Sequence, residues 1–258
     1  MNNFFNLKRF CRLFVKHTVE HYRTYLMSIA VLTGVILLGG SFLFFIVLEP
    51  PDTGFQMAAF VILMLIAGCI FTSTVFADFG EKNKSIPALT LPATAFEKFL
   101  VGWIYSYPIF LLVYTTIFYL ALGALGITKH WDPKHHFVLF SLFQGEMPVL
   151  LVLFSILHAI TIFGAIFFKN MHFIKTGFAF FISYSVLMIC NTIFLKVITG
   201  LGIIKLAMPF GFLNFDVGPK YYSLSADGPD SLMVIITMML VSVLIWTAAY
   251  FKLKEKQV

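Results

Sequence analysis

The sequence predicts an all-α, polytopic membrane protein with six transmembrane helices preceded by an N-terminal amphipathic interfacial helix. Three features of the chain point there. Six stretches of about twenty residues are almost free of charge. Hydrophobic residues make up 60% of the 258 residues and charged ones 12%, far from the soluble average. Lys and Arg gather at alternate ends of the apolar stretches, as orientation signals do.

The stretches are 26–48, 55–77, 99–127, 147–168, 176–195 and 231–251. A helix rises about 1.5 Å per residue, so about 20 residues cross a hydrocarbon core of about 30 Å. In lipid a spanning segment must satisfy its own backbone hydrogen bonds, which favours helices. A barrel would need alternating polar and apolar residues, and Leu111-Leu112-Val113 and Phe42-Leu43-Phe44-Phe45 do not alternate. The chain reads as a single transmembrane domain: an interfacial helix at 1–25, a six-span bundle at 26–251 and a basic tail at 252–258.

In residues 4–25, apolar side chains recur at Phe4, Leu7, Cys11, Phe14 and Tyr22, and charges at Arg9, Arg12, Lys16, Glu20 and Arg23. Spacings of three and four put the charges on one face, so this helix is expected to lie in the headgroup plane. The alternative is an ordinary basic flank that only sets orientation. No small-residue cleavage site follows the first apolar run, so the first helix is expected to serve as its own insertion signal.

Glu49-Pro50-Pro51-Asp52-Thr53-Gly54 is a short acidic hairpin between spans one and two. The next loop, 78–98, carries Asp78, Glu81, Lys82, Lys84, Glu97 and Lys98. Pro87 and Pro92 break it, limiting residues 79–86 to about two helical turns. Thr94 followed by Glu97 is a capping-box spacing at the start of span three. Within that span Pro108 lacks a backbone donor and is expected to kink the helix. Stretch 197–215 competes as a seventh span. Lys205 at its centre would cost about 3 kcal/mol on insertion, and Gly200, Gly202, Pro209 and Gly211 interrupt it. It is expected to be a re-entrant or interfacial element on the outer side. Thirteen Lys and Arg then fall on one side and five on the other, which predicts both termini cytoplasmic in the inner membrane.

The net charge of +6 follows from that asymmetry, and no free basic run with interleaved aromatics points to nucleic acid. Cys11, Cys69 and Cys190 form no CxxC pair and read as packing residues. His130, His135 and His136 cluster in an outer loop, too few and on the wrong side for a membrane di-iron enzyme. His158 and Asn191 lie within spans, and His158 is expected to be neutral and hydrogen-bonded to a neighbouring helix. The sequence contains no H-E-x-x-H, G-x-S-x-G or P-loop motif. No catalytic, cofactor-binding or metal-binding residue is expected in this chain.

The passage out of span two and into span three carries a resemblance. It reads Phe76-Ala77-Asp78-Phe79, then Glu81-Lys82-Asn83-Lys84, then Ala88-Leu89-Thr90-Leu91-Pro92-Ala93-Thr94-Ala95-Phe96-Glu97-Lys98-Phe99-Leu100. With six spans, the chain resembles the membrane subunit of a type-2 ABC exporter. The resemblance implies a permease energised by a separate ABC ATPase, working as a homodimer or as a heterodimer with a second permease. It implies that Phe79, Glu81, Lys82, Asn83, Lys84 and Ile86 belong to a coupling helix that docks on the ATPase, and that the element before span six forms a lid. A non-transporting assembly or scaffold protein is the competing reading. A His-dependent membrane enzyme trails both.

Overall fold

The computed structural model describes residues 5–46, 51–80, 92–128, 137–142, 147–199, 213–217, 220–224 and 229–256. Its helices are α1 (Leu7–Ile46), α2 (Thr53–Gly80), α3 (Ala95–Ile104), α4 (Phe110–Thr128), α5 (Met147–Phe167), α6 (His172–Thr199) and α7 (Pro229–Glu255). A π-helical turn, Tyr105–Ile109, joins α3 to α4, so these form one span. Six helices are long and apolar enough to cross a membrane, which makes the chain a multi-pass membrane protein.

Local chemistry sets the helix starts. Asn6 Oδ1 accepts from the backbone of Lys8 and Arg9 at 3.0 and 3.3 Å. Asp52 Oδ1 accepts from Phe55 N at 3.1 Å. Each satisfies donors that a helix N-terminus leaves open.

α2 and α5 form the centre. In their most apolar windows 44% and 50% of residues are buried, against 6%, 11% and 11% for α1, α6 and α7. The outer three therefore leave most of their surface uncovered by the rest of the chain. Gly68 lets α2 and α5 approach, because a Cβ there would collide with the Phe154 ring. α1 runs parallel to span three: Arg9 lies beside Glu97, Thr18 beside Tyr105 and Gly40 beside Leu125. Both described chain ends thus lie at one end of the bundle, called here the termini end.

Two buried clusters fill the interior. One, around Phe60, Tyr114, Phe118 and Phe140, lies toward the opposite end. The other, around Phe76, Phe99, Tyr105, Ile166 and Leu253, lies toward the termini end. Segment 137–142 closes the opposite end. Buried Gln56 donates to Val138 O and Pro51 O, both at 2.9 Å, and accepts from Phe140 N at 3.3 Å.

Several expectations need correction. The amphipathic stretch expected as a separate interfacial helix is continuous with span one. α1 is a single helix of 40 residues, about 60 Å long, with no proline within it to break it. Its first half packs along the start of span three. Phe79 was expected to open a short helix, yet it sits in the last turn of α2. Of the element expected at 197–215, residues 200–212 lie outside the described residues. Its first residues finish α6, and its last three belong to an antiparallel hairpin, Leu213–Val217 with Lys220–Leu224, in whose backbone register Phe215 pairs with Tyr222. This hairpin adds a small sheet to the otherwise all-α architecture. The basic tail expected from 252 is helical to Glu255, where Lys252 and Lys254 complement the negative end of the helix dipole.

Candidate functional site

The start of α3 is a built junction. Thr94 Oγ1 accepts from Glu97 N, and Glu97 Oε2 accepts from Thr94 N at 3.1 Å, so the capping box is formed as the spacing predicts. The same carboxylate is fully buried and bonded further. Arg9 Nε donates to Oε2 at 2.6 Å, Arg9 Nη2 to Oε1 at 2.8 Å, and Asn6 N to Oε1 at 2.8 Å. Arg presents a planar fork that matches a carboxylate, which makes the pair directional as well as electrostatic. The junction ties the first turn of α1 to the first turn of α3. Lys98 beside it is also buried, 3% exposed, although a solvated flank would suit its charge better.

From there an aromatic column climbs α1 toward the π-turn. Phe14 and Tyr25 stack on Tyr105 at 4.8 and 5.2 Å, and Tyr25 packs on Phe71 of α2 at 5.5 Å. The Thr18 and Tyr105 hydroxyls share a short hydrogen bond. Tyr25 OH meets His17 Nε2 at 2.6 Å.

The π-turn absorbs Pro108. A proline inside a helix removes one backbone donor and crowds the preceding turn, and widening that turn is one way to accommodate both. The turn also presents Ser106 and Tyr107 to α5. His158, wholly buried midway along α5, bridges three helices. Trp246 Nε1 donates to His158 Nδ1 at 3.1 Å. An indole N–H only donates, so Nδ1 is the unprotonated nitrogen. Nε2 then carries the hydrogen and donates to Ser106 Oγ at 2.9 Å. Tyr107 and Ser155 hydroxyls meet at 2.5 Å, and Trp103 abuts Trp246 edge to face at 5.5 Å. His158 is thus a neutral, fully bonded pin between span three, α5 and α7, as its place in the sequence suggests.

A second tie joins α7 to the ends of α2 and α5. Lys256 Nζ donates to Phe79 O at 3.0 Å and to Ile166 O at 2.5 Å. Burial first, then the charges of Lys169 and Lys252, hold this ammonium below the ordinary lysine range. Helix C-termini leave carbonyls unsatisfied, and one cation here serves two of them. Nearby, His21 Nε2 and Asp78 Oδ2 lie 3.5 Å apart across α1 and α2.

Of the residues expected in a coupling helix, Phe79 is the one placed here, with its ring 6.0 Å from Phe76 and its carbonyl on Lys256. Glu81, Lys82, Asn83, Lys84 and Ile86 lie outside the described residues, as do His130, His135 and His136. Among the described residues no group of three or more His, Cys, Asp or Glu is placed to hold a metal. The sequence reading missed Arg9 as the partner of Glu97, Lys256 as a clamp and Trp246 as the partner of His158. The capping box and Pro108 were local signals, whereas each missed pairing spans 88 or more residues. Comparison with protein-family models, with curated proteins and with solved structures finds no match for this chain.

Proposed function

We propose that this chain is the permease subunit of an ATP-driven, ABC-type exporter. A separate ATPase energises it, and a second permease, identical or different, pairs with it. It resides in the cytoplasmic (inner) membrane with both termini cytoplasmic. One observation carries the reading. The segment that leaves α2 and enters α3 is flanked by two cationic ties, Lys256 on the carbonyl of Phe79 before it and Arg9 on Glu97 after it. A partner pushing on that segment works against anchored helix ends. Its displacement passes to α7 and α1, and along α3 to the π-turn, and is not lost in a slack loop. The excess of Lys and Arg at this end and the resemblance of the passage 76–100 to type-2 permeases agree with it.

The test is reconstitution of the chain with its ABC ATPase. Reversing Glu81 and Lys82 together is expected to abolish capture of the ATPase while membrane insertion stays intact. Glu97→Gln keeps the shape of the junction but removes its charge. Capture is then expected to persist, while ATPase stimulation falls roughly fivefold, within the usual range of coupling energies. Unchanged capture and unchanged turnover in both variants would remove segment 79–86 from coupling and favour the scaffold reading.

A further inference from the structure

We infer that α1, α2, α5 and α6 enclose a binding site for a bilayer amphiphile with an amine-bearing head, seated in the leaflet on the termini side. Two adjoining spaces make up the site. The deeper one is an apolar crevice of about 220 Å³ among α2, α5 and α6, lined by Leu65, Ile66, Cys69, Leu157, Phe173 and Gly177. The shallower one is a polar cavity of about 830 Å³ among α1, α2 and α6, with His21, Thr24, Ser73, Thr74 and Asp78 in its wall. Phe173 borders both. Along α2, residues 66, 69, 73 and 77 recur at spacings of three and four, so both spaces follow one helix face.

Depth and chemistry select the occupant. From Leu65 to Asp78 the helix rises about 20 Å, somewhat more than the roughly 15 Å of hydrocarbon in one leaflet. The crevice therefore sits at acyl-chain depth, and the carboxylate at headgroup level. Ile66 is 53% exposed and Phe173 47%, so the crevice opens sideways into the bilayer. The hydroxyls in its wall, Thr161 and Thr176, are bonded to their own helices, so water finds few partners there and hydrocarbon fills it. At the polar end the described lining holds one carboxylate, three hydroxyls and the imidazoles of His21 and His172, but no Lys or Arg. Asp78 already faces His21 at 3.5 Å, and a carboxylate has about four acceptor sites to share. A primary ammonium brings charge complementarity and N–H donors. A purely anionic head would meet Asp78 unfavourably.

The experiment uses the isolated chain, with no ATPase present, so a failure of the exporter reading leaves its outcome untouched. The protein is purified into nanodiscs of phosphatidylcholine containing equal minor fractions of phosphatidylethanolamine and phosphatidylglycerol. Lipid retained on release is identified by native mass spectrometry. Phosphatidylethanolamine is expected to be enriched over both other heads. A Cβ at Gly177 would meet nothing within 4 Å, so Gly177→Leu fills the crevice without a backbone clash. It is expected to cut retention about tenfold, a 1.4 kcal/mol loss of tail contact. Asp78→Asn is expected to erase the preference for ethanolamine over choline while leaving a retained tail. Each variant is first matched to the parent by circular dichroism and gel filtration. Equal retention of all three heads, or a preference that survives both substitutions, means annular lipid only and overturns the site. Enrichment of phosphatidylglycerol overturns it too, since that head is read by the basic flanks.

Discussion

The two ends of the bundle are fastened by different chemistry. At the termini end the ties carry charge: Arg9 to Glu97, and the Lys256 ammonium to two helix carbonyls. At the opposite end they are neutral: Gln56 to segment 137–142, Tyr119 OH to Phe140 O at 2.9 Å, Tyr114 OH to Phe60 O at 2.7 Å. Neutral bonds buried in an apolar setting are costly to open and indifferent to salt. Charged bonds in reach of solvent, such as the Lys256 clamp, yield more readily to pH and to a competing partner, whereas the buried Glu97 carboxylate is shielded from salt. The contrast is one of chemistry: neutral bonds at one end, charged ones at the other.

The largest expected effect comes from breaking the neutral end. Gln56→Leu strands the Val138 carbonyl and the Phe140 amide, both held by the buried Gln56 side chain. At about 1–3 kcal/mol for the abandoned buried amide of Phe140 and about 1 kcal/mol for the lost bond to the exposed Val138, a loss of roughly 3 kcal/mol is expected, read as a lower melting temperature in detergent. The shift should be nearly the same in low and high salt, and a strong salt dependence would blur the contrast. A middle effect comes from the pin between the two ends. His158→Phe leaves Ser106 and Trp246 short of a partner and is expected to cost about 2 kcal/mol. Trp246→Phe removes the indole donor and also shrinks a ring packed on Trp103 and Tyr107, so a loss of similar size is expected. A melting temperature unchanged by either substitution would mean that this bonded ring does not hold the three helices together.

The smallest effect belongs to the ionic end. Lys256→Met removes a half-exposed clamp that bonds one carbonyl of the buried Ile166 and one of the half-buried Phe79, so about 1 kcal/mol is expected. Its pH dependence is more telling. With the folded ammonium held below the ordinary 10.5, the unfolded chain binds more protons between those two values. Stability from this group therefore rises with pH across that window and is constant below it. The parent should gain on Lys256→Met in melting temperature as pH climbs toward 10. A parent that loses ground there would show that the ammonium is stabilised by the fold.

What the sequence disclosed follows the range of each signal. The six spans were legible because twenty apolar residues in a row have one physical explanation in lipid. Thr94 and Glu97 were legible because a capping box is complete within four residues. Pro108 announced a break but not its kind, since a kink and a π-turn both answer a missing donor. The continuity of α1 was hidden by the change from amphipathic to apolar pattern near Leu26, which alters the helix's surroundings and leaves its backbone unaffected. Arg9 was legible as one of several basic residues on a flank. Its choice of Glu97 depends on α1 running parallel to span three, a fact of packing that no local pattern encodes.

The π-turn also sets the phase of span three. It holds one residue more per turn than an α-helix, and each residue advances the azimuth by about 100°. Above it, Phe110, Tyr114 and Phe118 face inward while Leu112 and Leu120 are each 68% exposed. Were the extra residue passed along the chain, α4 would turn by about 100° and slide by about 1.5 Å while α3 stayed clasped by Glu97. The two halves of this span are therefore indexed separately. Pro108 keeps the extra residue in place, so the inward face near Phe60 holds a phase of its own, independent of the junction at Arg9.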